Sequence, residues 1–503
     1  MLAKRYGYPN LRARGVHAMI ESDLVRRVKG TVSWHAGALV LLVVAVGISP
    51  RIPLPIFIPR RRFDLRAEDL ILVILLFFWL IGPLQRLRLY LTPLFLPLAA
   101  YCVLMIAATA LGAMTATVDP SRGLVYGLKQ FEYFSIFLLV ANWVRTAEEL
   151  KVVVAGIIGA GLANLGWFAE QVITGTRSPL LFIRGDYLPA GFWQPPNRLE
   201  PGYGPSLIGE PNVQSGGGFF LLVSLLALAF LLFSHKRRQR RVFTLLSVGF
   251  SLCTFLTVSR DSALGLMVGL AVLLITWGRS VRTLQVMVLG LLLIGGIWVL
   301  EVIHPFAHDP FERWEIGYTE GSLGNRIRRI WDPMLRAEAD PLRFVAGFGT
   351  GSLGFARELS WEQDNGYSGE EAHNHYLRVL FETGIFGLAA FIWLLTAIIR
   401  WGARILKDSR LLISRIVGGA AMAGCAGLCV GALFSDIFIN VVINELWWIL
   451  IGLAMAAYRI ERGLKVNAAA VLRRQNLRGS AGHSPFPPEG FGTATSNINV
   501  SEV

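Results

Sequence analysis

Two histidines one residue apart, His373 and His375, stand at the head of a long apolar run in "EAHNHYLRVLFETGIFGLAAFIWLL", residues 371–395. A neutral imidazole at a water-facing membrane edge can accept a proton near neutral pH, which is what removal of a hydroxyl proton by a general base requires. Residue type does not choose between the two. Asn374 suits the cap of a helix beginning near His375, and Arg378 and Glu382, four residues apart, are spaced to pair with each other.

Cations that could hold an anion recur elsewhere. Arg260, in "FLTVSRDSALGL", lies with Asp261 between two apolar runs joined by almost no loop, so it must sit at a membrane edge or face a cavity. It either pairs with Asp261 or remains available to a ligand. "NRLEPGYGPSLIGEPNVQSGGGF" places Arg198 and Glu210 ahead of a glycine-rich start to the next apolar run. Glycines there let backbone come close to a ligand or to a neighbouring helix. Residues 304–375 hold Arg313, Arg326, Arg328, Arg329, Arg336, Arg343 and Arg357 without a lysine. The guanidinium fork grips phosphate oxygens in pairs, although a chain-wide scarcity of lysine explains the same pattern. "GFGTGSLG", 347–354, lacks the Lys-Ser/Thr of a nucleotide loop and reads as a tight turn.

The elements that position these groups follow from composition. The chain of 503 residues is 54% hydrophobic and 16% charged, with mean hydropathy +0.52, too apolar for a water-soluble core. Apolar runs near 33–49, 69–85, 91–113, 125–144, 151–172, 214–233, 242–259, 262–278, 283–303, 376–399, 416–435 and 440–458 each approach the roughly 20 residues of helix that cross a bilayer. The fold class predicted is all-α integral membrane, about 12 transmembrane helices with a large extracytoplasmic loop between helices 9 and 10.

Dense cation runs such as "HKRRQRR" and "RWGARILKDSRLLISR" mark the cytoplasmic connections and put both termini in the cytoplasm. The basic stretch 51–66 breaks that pattern by landing outside. The expected organisation is a cytoplasmic segment 1–32, helices 1–9 over 33–303 with an outer loop 173–213, a large outer loop 304–375, helices 10–12 over 376–458, and a disordered cytoplasmic tail 459–503. The net charge of +14 belongs to loops facing anionic lipid headgroups, so membrane lipids are partners and nucleic acid is not. Cys102, Cys253, Cys425 and Cys429 fall within apolar runs at spacings that match no metal site, and packing is their expected role. No cleaved signal peptide is expected from the first thirty residues.

"AHNHYLRVLFETGIFGL" resembles the signature of the O-antigen ligase and O-antigen polymerase superfamily, a His-Asn pair ahead of a helix containing Glu-x-Gly-x-x-Gly-Leu. "NRIRRIWDPMLRAEADPLRFVAGFGTGSLG" is similar to the family's Arg, Trp and Gly-x-Gly stretch, "TVSRDSALGL" to its Ser-Arg span junction, and "LIGEPNVQSGG" to its Pro-Asn motif after the first outer loop. "LKQFEYFSIFLLVANWVRTAEEL" resembles the fourth span. The order of these pieces covers most of 33–458.

The resemblance implies a glycosyltransferase of the bacterial inner membrane, acting at the periplasmic face on a glycan carried by undecaprenyl pyrophosphate. The acceptor it implies is lipid A core for a ligase or a second lipid-linked repeat for a polymerase. His373 matches the catalytic histidine and Arg260 the span-junction arginine. Arg198 matches the first-loop arginine at a longer spacing, with Arg184 as its substitute, and Glu210, Arg326 and His375 complete the expected substrate-binding set. No cofactor is expected. The outer loops show no Asp-x-Asp motif and no His/Cys cluster, so no metal is expected either. A multi-span transporter or flippase is the alternative, carried by Asp436, Asn440, Asn444 and Glu445 around the last outer turn.

Overall fold

The computed structural model describes residues 33–49, 51–58, 61–81, 90–174, 207–208, 213–257, 259–277, 326–337, 340–353 and 372–481. In chain order the elements are α1 (Trp34–Ile48), a hairpin of β1 (Arg51–Ile58) and β2 (Arg61–Arg66), α2 (Ala67–Ile81), α3 (Phe95–Met114), α4 (Pro120–Trp143), α5 (Ala147–Thr174), α6 (Val213–Phe233), α7 (Arg237–Leu256) and α8 (Arg260–Trp277). A π turn (Arg326–Trp331), two short helices, α9 (Asp332–Ala337) and α10 (Pro341–Ala346), α11 (His375–Asp408), α12 (Leu412–Gly431), a 3-10 turn (Ile437–Ile439) and α13 (Val441–Ala481) follow.

Eleven of the twelve apolar runs coincide with helices, and the run at 283–303 lies outside the described residues. Seven of the described helices are long and apolar enough to cross a membrane: α3 to α6 and α11 to α13. The structure departs from the sequence reading in two places. Residues 51–66 form an antiparallel β-hairpin, Arg51 opposite Arg66 and Ile58 opposite Arg61, so the fold is helical with one small sheet. At the other end, the backbone stays helical past Tyr458 to Ala481, where a disordered tail was expected. The stretch beyond Tyr458 is rich in Ala, Leu and Arg, strong helix formers whatever their polarity.

Residues Arg27–Glu461 form one compact unit, which contains every feature described below. Met1–Arg26 and Arg462–Val503 form a second, whose described part is the helical backbone that ends at Ala481. In the first unit α13 and α6 are central, with 89% and 83% of their apolar windows buried against 33% for α3. A helix apolar on all sides, as α6 is in "GGGFFLLVSLLALAFLLF", has no polar face that such a position would bury.

Lipid tails are as apolar as leucine, so apolar character alone does not draw these helices together; close approach of small residues does. On α8, Gly265 and Gly269 lie against the backbone of α12, where an added Cβ would come within 2.8 Å of Gly427 O and 2.8 Å of Ala423 O respectively. Gly402 of α11 meets Gly418 of α12 in the same way, at 2.9 Å from its carbonyl. Buried polar side chains lock the loops: Asn164 of α5 donates to Gly47 O at 2.8 Å and accepts the Ile208 amide at 3.1 Å. At the opposite end of α5, Glu149 accepts from Ser33 Oγ at 2.5 Å and from the Arg145 amide at 2.7 Å.

Gly427→Leu is expected to push α8 off α12 and to destabilise the bundle by about 1–3 kcal/mol or more. Gly159→Ala, where an added Cβ meets nothing within 4 Å, should leave stability unchanged or slightly raised. Thermal unfolding of the two purified variants beside the parent checks the contrast.

Candidate functional site

The N-terminal end of α11 is a separate short segment. Gly384 interrupts the helix with φ +68° and ψ −176°, a region that essentially only glycine occupies. The break turns the Phe381 and Glu382 carbonyls toward the loop 347–353, where they accept the Phe348 and Gly349 amides at 2.8 and 2.9 Å. Gly347, at φ +75°, has no room for a side chain, because a Cβ would lie 2.6 Å from Glu382 O. "GFGTGS" is thus a turn fitted onto a broken helix.

The residues before α11 are fixed from several directions. Trp331 Nε1 donates to Ala372 O at 2.8 Å, the His375 amide donates to Ala432 O at 2.8 Å, and the Asn374 side chain caps the helix by accepting the Tyr376 and Leu377 amides, each at 3.1 Å. His373 lies between these anchors in the left-handed region, φ +51°, with its amide donating to Asp436 Oδ2 at 3.2 Å. Its side chain is half-buried.

Asp436 joins the histidine segment to a buried ion-pair relay. The Arg378 guanidinium lies 3.6 Å from Asp436 Oδ2 and 3.2 Å from Glu382 Oε1, and Glu382 Oε1 also accepts the Gly351 amide at 3.2 Å. Arg378 and Glu382 therefore pair as their spacing implies, with Asp436 as a third member. All three are buried.

Arg326 approaches the same acid from the π turn. Nη1 donates to Phe434 O at 3.0 Å, and the guanidinium feels Asp261, Asp436 and Arg260. Burial pulls its pKa below the ordinary arginine value, the two carboxylates oppose that shift, and Arg260 adds to it. Arg260 begins α8 and is exposed. It does not pair with Asp261, whose buried carboxylate accepts instead from Ser259 Oγ and Ser435 Oγ, both at 2.5 Å. Arg260 and Arg326 thus lie within electrostatic reach of each other and of Asp261 and Asp436, the second of which also holds the His373 backbone amide.

The other anticipated residues lie apart. The His375 ring is buried against Phe391 and Phe438, at 5.4 and 5.1 Å between centroids, and lines a small aromatic cavity with Tyr101, Trp447 and Trp448. Arg343 stacks on Phe348 and donates to Thr115 Oγ1 at 3.2 Å, and Arg336 pairs with Asp332 at 2.7 Å, so both serve local structure. Arg184, Arg198 and Glu210 lie outside the described residues. The residues around the last turn separate: Asp436 faces the histidine segment, Asn440 donates to Ser215 Oγ at 2.6 Å, Asn444 donates to Phe438 O, and Glu445 points to a different cluster. Sequence reasoning noticed Asp436 without connecting it to His373, because only the fold brings the two within hydrogen-bond distance.

Removing one member of a buried ion pair leaves an uncompensated charge and costs about 3–5 kcal/mol. Glu382→Ala is expected to fall in that range. Glu382→Gln, which keeps an acceptor for the Gly351 amide, should cost less. Denaturation midpoints of the two variants test that order.

Residues 245–392 match the family model described as O-Antigen ligase, a segment that starts in α7, takes in α8 and the Arg326 turn, and ends in α11 just beyond the Gly384 break. No curated protein matches the sequence. Residues 245–392, which hold Arg260, Arg326 and His373, are thus similar to the O-antigen ligase family, and that similarity supports the O-antigen ligase/polymerase superfamily and a membrane glycosyltransferase-like function.

Proposed function

We propose that the protein transfers a glycan from undecaprenyl pyrophosphate to an acceptor hydroxyl at the periplasmic face of the bacterial inner membrane, with both termini cytoplasmic. The observation that carries this reading is Asp436, which holds the His373 backbone and lies within electrostatic reach of Arg326, itself within reach of Arg260, all but Asp436 inside the segment similar to the O-antigen ligase family. The acceptor is lipid A core or a second lipid-linked repeat, and the chemistry at the donor is the same for both.

In this reading the acceptor oxygen attacks the anomeric carbon, the bond from that carbon to the pyrophosphate oxygen breaks, and the pyrophosphate leaves with the bonding electrons. His373 takes the acceptor proton as general base or orients the hydroxyl. Arg260 and Arg326 stabilise the negative charge that builds on the leaving group, a role that preorganised cations fill without reorganising during the reaction. Asp436, with Asp261, offsets the mutual repulsion of the two arginines and holds the His373 backbone. Arg198 or Arg184, together with Glu210, would reach the donor from the first outer loop. His375, buried among aromatic rings, supports the helix start and has no substrate contact in this scheme. The displacement needs no metal.

His373→Ala is expected to lower transfer by about 10²–10⁴-fold while the protein accumulates normally. Arg260→Ala and Arg326→Ala should each cost about 10²–10³-fold. Transfer in excess chelator, measured at a temperature where the protein remains folded, should persist. Full activity of His373→Ala would remove that residue from the mechanism.

A further inference from the structure

A second group of charges lies inside the bundle, away from the His373 segment. Lys129 and Glu132 of α4, Asp69 and Glu68 of α2 and Glu445 of α13 face one another. Lys129 Nζ lies 2.8 Å from Asp69 Oδ1, 2.7 Å from Glu132 Oε1 and 3.6 Å from Glu445 Oε1. Glu68 Oε1 accepts from Ser49 Oγ at 2.8 Å and has Arg66 at 3.7 Å. Four carboxylates thus meet two cations, and the cluster is two positive charges short of neutral.

The shortfall is concentrated on groups with no access to water. Glu445 is 0% exposed and neither of its carboxylate oxygens has a hydrogen-bond donor; Glu68 is 1% exposed and its Oε2 likewise has none. An ionised carboxylate taken out of water and left without donors is expensive, so something further must neutralise this cluster.

The geometry limits what that is. One oxygen from each of Asp69, Glu132 and Glu445 lies within 4.8 Å of the other two. Oxygens that share one Ca²⁺ at about 2.3–2.6 Å can be no more than about 5 Å apart. All the donors are oxygen, which suits a hard cation, and a charge of two closes the balance. We propose that Asp69, Glu132 and Glu445 form a binding site for a hard divalent cation that ties α2 to α4 and α13. Lys129 stays beside the carboxylates as a counter-charge and competes with the cation for their oxygens. The consequence falls chiefly on α2, where only Glu68, Leu72 and Leu75 are buried and apolar packing contributes little to its attachment.

The test uses the full chain in lipid nanodiscs, stripped of metal by chelation and exchanged into chelator-free buffer. Its unfolding temperature is followed by tryptophan fluorescence as MgCl₂ or CaCl₂ is added at ionic strength held constant with NaCl. A saturable rise of about 5 °C at a hundredfold excess over Kd is expected. Glu445→Gln should abolish the rise, and Lys129→Gln should move its midpoint to lower cation concentration. If Glu445→Gln does not fold, Glu132→Gln asks the same question. Absence of a saturable rise in the parent, or an equal rise in the glutamine variant, would overturn the proposal and leave protons as the neutralising charge. Neither result bears on glycan transfer, because none of these residues belongs to the His373 and Asp436 assembly.

Discussion

The Asp436 carboxylate accepts the His373 amide at 3.2 Å and faces the Arg378 guanidinium at 3.6 Å, so the histidine segment and the start of α11 take their position from one buried acid. That acid also lies within the electrostatic reach of Arg326. Charge at the edge of an apolar slab persists only when it is paired. Here the pairing holds Arg378 and Glu382 in place as structure, and the same acid opposes the effect of burial on Arg326. A site for an anionic leaving group needs cations close together, and close cations need acids behind them.

The same economy appears in the backbone. The Gly384 break gives up helical hydrogen bonds at the membrane edge, where unsatisfied carbonyls are costly, and the loop 347–353 replaces them with the Phe348 and Gly349 amides. The glycines that permit this also bring the 347–353 turn directly against α11, and a Cβ at Gly112 would strike the Phe348 carbonyl from α3. The loop is therefore wedged between two helices, and the histidine segment inherits the rigidity of that wedge.

Much of this was legible in the sequence. Bilayer length sets helix length, so the apolar runs locate the described helix starts to within about five residues, while α11 and α13 continue past the apolar ends to Asp408 and Ala481; the Asn374 cap and the Arg378–Glu382 pair follow from local spacing alone. What was not legible depends on contacts between distant positions. The partner of His373 lies on the last turn, at Asp436, and Asp261 binds Ser435 rather than the adjacent Arg260. Glu445 looked like part of the last turn, yet it turns inward to meet Lys129. The β-hairpin at 51–66 and the helix beyond Tyr458 escaped because basic composition reports the side of the membrane, not the backbone conformation.

In the proposed reaction the cations and histidine of residues 245–392 act together on a lipid-linked pyrophosphate glycan. The most direct measurement is transfer by the purified protein in lipid, supplied with an undecaprenyl-pyrophosphate glycan and, separately, with lipid A core or a second lipid-linked repeat. Product on one of the two acceptors, with release of undecaprenyl pyrophosphate, is the expected result. An intact donor with both acceptors, in the presence of folded protein, would contradict it.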